Sequence, residues 1–205
     1  MSLTTYTGLK QSLLDWGKNA SLTSYLDDFI TLAEARIARD IRIKSQVQST
    51  TLSTSNVAPY STALPSDWLE TENVTLTADI PYNLQSITPE QMDAKWPAGV
   101  TTGIPQFWTV IGTNIYFGPT PDAVYSITLQ YYQKFPGVVA NSTNWLLTNH
   151  PNIYLSACLY ELNKYTKDTD MMGFWLNEYM ADKEKLIQQD DTALRSGSAL
   201  RVRVT

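Results

Sequence analysis

Apolar residues recur at helical spacing at both ends of the chain and alternate with polar ones in the middle. In the first 42 residues Leu9, Leu13 and Trp16 share one helical face, with Gly17 placed to stop the helix. Ser21 can cap a second helix, in which Leu22, Leu26, Phe29, Ile30, Ala33, Ile37 and Ile41 form an apolar stripe. Asp27, Asp28, Glu34, Arg36, Arg39 and Asp40 occupy the other face with alternating sign. This predicts a helical hairpin packed on a core, its outer face solvated or turned to a subunit.

From about residue 45 the period changes to two. QVQSTTLST alternates and is rich in β-branched residues; ALPSDWL is a turn into a second strand, LETENVTLTA. PYNLQSIT predicts one short strand, and PEQMDAKWP at most two helical turns opened by Pro89. PQFWTVIGTNIYFGP is the clearest hairpin, with Gly112-Thr113-Asn114 as its turn. In YSITLQYYQKF, Tyr125, Ile127, Leu129 and Tyr131 fall on one face and Ser126, Thr128, Gln130 and Tyr132 on the other. A half-buried antiparallel sheet with one polar face is expected.

PGVVANSTNWLLTN is a long connection, after which helical spacing returns. Thr148 or Asn149 can cap a helix entered by Pro151, with Ile153, Tyr154, Ala157, Cys158, Leu162 and Tyr165 on its apolar face. KDTD breaks it, and Thr169 or Asp170 restarts another along Met172, Trp175, Leu176, Tyr179, Met180, Lys183 and Ile187 to about Leu194. The end, RSGSALRVRVT, opens with Ser-Gly-Ser and closes as an alternating basic and apolar strand. The fold class is therefore α+β. Residues 1–44 and 145–194 form one helical bundle, 45–144 an inserted, sandwich-like antiparallel β lobe, and 195–205 a flexible tail.

Composition narrows the function. Hydrophobic residues are 43% and aromatics 11%, enough for a real core. A net charge of −5 argues against a nucleic-acid binder, because phosphate affinity needs Lys and Arg. The opening MSLTTYTGLK has no apolar signal core, no stretch approaches the roughly 18 apolar residues of a membrane span, and the single cysteine forbids an internal disulfide. The expectation is a protein made and kept reduced in a cytoplasm, with no membrane partner.

Chemical motifs are scarce. His150, the only histidine, stands before Pro151, which biases it away from helical backbone and toward a helix-entry role; a catalytic role would need a partner nucleophile. Cys158 lies two turns on and reads as a small core hydrophobe. Asp168, Asp170, Asp190 and Asp191 sit at helix boundaries, and Asp168-Thr169-Asp170 lacks the glycine and glutamate of a calcium loop, Gly173 being misplaced. No phosphate-binding glycine loop occurs, so no metal and no cofactor is expected. The aromatic β region leaves one alternative open, a carbohydrate- or ligand-binding module using exposed rings such as Trp108 or Tyr132. The tail is the other oddity: a hinge followed by a strand suits β-augmentation of a partner, or is simply a frayed terminus.

The run IPQFWTVIGTNIYFGPTPDAVYSITLQYYQKFP, followed by TNWLLTNHPNIYLSACLYE and the closing ALRSGSALRVRV, resembles tailed-bacteriophage head-to-tail adaptor (connector) proteins. LPSDWLE and the hairpin ending AEARIARDIR fit the same family, so the resemblance covers nearly the whole chain; DTDMMGFW departs from the more charged connection of the family. The resemblance implies a structural virion protein without catalytic residues, made in the host bacterial cytoplasm and placed at the head-tail interface. It implies a homo-oligomeric, dodecameric ring under the portal protein, joined to a tail or nozzle protein, whose channel passes DNA without specific binding. The helical bundle would pack side by side and face the portal, and the β lobe would face the tail. In related adaptors the C-terminal segment reaches the portal. Here that segment is Arg195 to Thr205, which makes Arg195, Leu200, Arg201, Val202, Arg203 and Val204 the portal-binding candidates.

Overall fold

The computed structural model describes residues 3–77, 80–97 and 100–196. In chain order the elements are α1 Tyr6–Gly17, α2 Leu26–Asp40, β1 Val47–Ser53, β2 Ser61–Ala63, β3 Trp68–Thr77, β4 Tyr82–Asn83, β5 Gln85–Ser86, α3 Pro89–Lys95, β6 Thr102–Gly103, β7 Phe107–Ile111, β8 Asn114–Gly118, β9 Thr120–Pro121, β10 Ser126–Gln133, α4 Val138–Asn141, α5 Trp145–Asn149, α6 Pro151–Thr166 and α7 Thr169–Ser196. The fold is α+β. Two compact units divide the chain: residues 1–44 with 135–205, which hold six of these helices, and residues 45–134, which hold every strand and α3.

In the helical unit α6 is the central element. Ile153 to Leu159 and Glu161 to Asn163 are all buried, so this helix has almost no solvent face. Helices α1, α2 and α7 all pack against it. Leu9 and Leu13 of α1, Phe29, Ile30, Ala33 and Ile37 of α2, and Trp175, Tyr179 and Leu186 of α7 close the core around it. Each leucine, isoleucine or phenylalanine among these contributes roughly 1.5–3 kcal/mol by leaving water.

The helix ends differ from the expected ones in instructive ways. Gly17 is the last helical residue of α1, and the left-handed residue that stops the helix is Lys18, at φ 48°. What Gly17 supplies is room: a Cβ there would stand 3.0 Å from Leu162 Cδ1. Asn19, not Ser21, is the cap that follows. Its carboxamide oxygen accepts from Ser21 N, and a 3-10 turn over Ala20–Tyr25 precedes α2. Thr148 and Asn149 do not cap α6, because the connection before it is itself helical; they end α5, which Asn144 caps by accepting from Leu147 N at 2.9 Å. Helix α7 is capped by Asp168, whose Oδ1 accepts from Met171 N at 3.1 Å, and not by Thr169 or Asp170. It runs through Arg195 to Ser196.

Polar bonds pin α2 in the unit. Glu34 Oε1 accepts from Val138 N at 2.7 Å and from the Tyr154 hydroxyl at 3.4 Å. Asn144 Nδ2 donates to the Tyr154 oxygen at 2.6 Å and to Pro136 O at 2.7 Å. Arg36 donates to Glu161 Oε1 through Nη2 at 2.7 Å and Nε at 3.2 Å, and its guanidinium lies over the Tyr160 ring. Glu161 is 5% exposed, so this ion pair is nearly dry.

The β unit is a sandwich. One sheet has the order β1-β10-β3-β4 and is antiparallel; the other has the order β2-β8-β7-β5, with β5 parallel to β7. Strands β6 and β9 form a separate parallel pair. The two larger sheets share one core, built from Val74, Leu76, Ile127, Leu129 and Tyr131 on one side and Ile115 and Phe117 on the other. Within β10 the expected alternation holds, with Ile127, Leu129 and Tyr131 inward. The segment PYNLQSIT does not form one strand. Tyr82–Asn83 pairs with β3, Gln85–Ser86 pairs with β7, and Leu84 between them is buried in the core. A single inward leucine thus marks where the chain changes sheets. The β7–β8 hairpin turns on Gly112 and Thr113 alone, Gly112 at φ 63°; Asn114 is already paired with Ile111.

Two substitutions test these cores. Arg36→Ala leaves the Glu161 carboxylate buried with only Lys164 Nζ at 3.5 Å, and should cost about 3–5 kcal/mol in urea unfolding. The double change Arg36→Met with Glu161→Met should cost much less, because it removes the charge along with its partner. In the β unit, a Cβ on Gly118 would stand 2.5 Å from Met92 Sδ and 2.9 Å from Trp96 Cε3. Gly118→Ala should therefore cost about 1–3 kcal/mol by the same measurement.

Candidate interaction surfaces

The residues with conventional chemistry are spent on structure. His150 stands between α5 and α6 at φ −135°, its N–H donating to Leu146 O at 2.8 Å and its ring tilted against Trp145. Cys158 is fully buried, and that burial pushes its thiol well above the usual range. It lies eight residues down the same helix from His150, about 12 Å along the axis, so the two do not form a pair. Asp168 caps α7, and Asp190 Oδ2 accepts from Lys44 N at 2.9 Å. Among the described residues no three His, Cys, Asp or Glu side chains come close enough to hold a metal ion. Within them, no helix is long and apolar enough to cross a membrane.

In the β unit, Trp108 is half-buried against the core, and its indole N–H donates to Leu84 O at 3.3 Å. Tyr132 lies in the middle sheet strand β10, opposite Val47 and Glu70. The Trp108 ring packs against the sandwich core, and Tyr132 is half-buried. An open cleft lies elsewhere in the unit: Tyr82, Ile104 and Phe107 line about 460 Å³, with Trp96 stacked on Phe107 at 4.8 Å.

The helical unit carries a groove that the sequence did not suggest. Trp16 of α1 and Met171, Phe174 and Trp175 of α7 line about 540 Å³ of it, with Glu178 and Asp182 continuing the same face of α7. Trp16 is 58% exposed, Phe174 50% and Met171 41%, whereas Trp175 beneath them is buried. Trp175 holds the other two rings edge-on, at 5.5 Å from Trp16 and 4.9 Å from Phe174. Asp182 accepts from Asn152 Nδ2 at 2.6 Å and pairs with Lys185. The sequence signal was present but misread. Trp16 looked like a third core residue of α1, and the apolar pair Met171 and Phe174 sits beside the stripe that the core needs, in the stretch DTDMMGFW.

Of the portal-binding candidates, Arg195 lies in the last turn of α7. Leu200, Arg201, Val202, Arg203 and Val204 fall outside the described residues.

The His150 environment makes a pH prediction. Desolvation by burial lowers its imidazole pKa from the ordinary 6.5. The folded chain thus holds fewer protons on this ring than the unfolded one. Its destabilising contribution is absent well above pH 6.5 and grows as pH falls below that value. His150→Gln should flatten the loss of stability below pH 6.5, read as urea midpoints against pH; an unchanged profile would show that the ring is solvated.

No curated protein matches the sequence. The sequence model of one family, described as SU10 adaptor protein, matches residues 4–203, through both units and into the C-terminal segment. The chain belongs to this family, which is one of phage head-to-tail adaptors.

Proposed function

We propose that the protein forms a ring beneath the portal of a phage head and joins that vertex to the tail, without a catalytic step. The observation that carries this reading is the family match over residues 4–203, which spans both units. In a dodecameric ring, the helical units would pack side by side toward the portal, and the β units would face a tail or nozzle protein. The free chain would be made in the host cytoplasm and end in the virion at the head-tail interface.

The charge suits a conduit. With a net −5 per chain, twelve copies would carry about −60, which discourages DNA from adhering to the channel wall. The positive charge that does gather, at Arg195, Arg201 and Arg203, falls in the segment we assign to the portal, interleaved with Leu200, Val202 and Val204. An alternating strand on a Ser-Gly-Ser hinge is suited to adding to an exposed sheet edge of a partner.

Mixing the purified chain with the portal ring encoded by the same genome, then imaging by electron microscopy, should show an added symmetric ring on one end of the portal and give its copy number. Removing residues 195–205 should leave the circular dichroism spectrum unchanged and weaken portal docking by about tenfold or more, a loss on the order of 1.4 kcal/mol. Undiminished docking by the shortened chain would take the tail out of the portal interface.

A further inference from the structure

The aromatic groove of the helical unit has a wall, a floor and a charged rim, and among the described residues nothing covers it. Trp16, Met171 and Phe174 are each at least 41% exposed around buried Trp175. Large apolar side chains clustered in this way mark a binding surface more often than solitary exposed ones do. Glu178 and Asp182 extend the same helical face one and two turns further along α7. The fitting occupant is therefore a short segment with apolar side chains on one side and cationic ones on the other.

This chain contains such a segment. Residues 195–205 read RSGSALRVRVT, with three arginines and no acidic side chain. In extended form Leu200, Val202 and Val204 fall on one side and Arg201 and Arg203 on the other. The long arginine side chains can reach over the rim toward Glu178 while the aliphatic side faces the rings.

Length decides whose segment it is. Phe174 precedes Ser196 by 22 residues of one helix, about 33 Å at 1.5 Å per residue. Val204 follows Ser196 by eight residues, which reach about 28 Å when fully extended and less once the chain has reversed direction. A chain cannot lay its own tail on its own Phe174. We propose that the groove receives residues 199–205 of a second copy, tail into groove, in the free protein. This contact is heterologous, so it propagates from copy to copy. It needs no portal. A portal would compete with the groove for the same segment, and the groove then gives it up.

The test uses two full-length variants, Met171→Cys and Val202→Cys, mixed under mild oxidation. Native Cys158 is a silent background, since it is fully buried. A disulfide-linked heterodimer that forms only on mixing is the expected result. Adding Phe174→Glu to the first chain, or Arg201→Glu with Arg203→Glu to the second, should cut the yield at least tenfold. The arginine changes leave the groove side chains untouched, so they keep the test decisive if the groove variant folds poorly. No heterodimer, or an undiminished yield with both sets of changes, overturns the proposal. A single chain carrying both cysteines that closes on itself at high dilution overturns it too. Failure of portal docking would leave these outcomes untouched, so the two readings stand or fall separately.

Discussion

Burial of α6 on nearly every side is the constraint on which the helical unit depends. A helix without a solvent face must satisfy each of its polar groups inside the protein. Ser156 does so by donating back to Asn152 O at 2.9 Å, and Asn163 by donating to Leu159 O at 2.7 Å. Glu161 has a long 3.5 Å contact with Lys164 locally, and it draws in Arg36 from 125 residues away at 2.7 Å. That bond fixes α2 against α6 at a defined rotation. Glu34, two residues before Arg36 on the same helix, reaches the backbone of Val138 and the hydroxyl of Tyr154 from that position.

Once α6 is enclosed, the unit needs little more apolar surface, yet α1 and α7 bring more. Trp175, Tyr179 and Leu186 of α7 go inward, and Trp16, Met171 and Phe174 remain outside. A chain with an acidic balance and a completed core gains no stability from exposed rings. Their retention makes sense for a molecule whose task is to be held by others, as in an adaptor family. The β unit differs. There Tyr82 and Ile104 line one cleft with Phe107, while Trp68 and Trp108 pack against the sandwich core.

The sequence disclosed periods well and boundaries less well. The α2 stripe and the inward face of β10 could be read directly, because each repeats its period over several turns or pleats. Caps were harder. Asn19, Asn144 and Asp168 all do work that adjacent Ser, Thr or Asp residues could equally have done, and only the backbone path selects among them. The run PGVVANSTNWLLTN hides α4 and α5 because each is too short to show a repeat. Leu84 hides a change of sheet for the same reason. The groove was invisible for another reason: helical spacing reveals that Trp16 and Phe174 are apolar members of a face, but not that both stay exposed in the fold. The tail candidates from Leu200 onward lie outside the described residues, and their reading comes from their alternation together with the family resemblance.

Strand pairing at the ends of the β unit has a consequence for how such a protein can change over evolution. Val47, near the start of the unit, lies opposite Tyr132, near its end, across the β1–β10 ladder. Cα atoms so paired are about 5 Å apart. The whole 90-residue span from Ser45 to Lys134 therefore leaves and re-enters the chain through one narrow gate. Replacing it by a longer or shorter module with the same paired stems would alter little in the loop-closure entropy seen by the helices. Lineages could exchange this cassette wholesale while the helical half keeps its own packing.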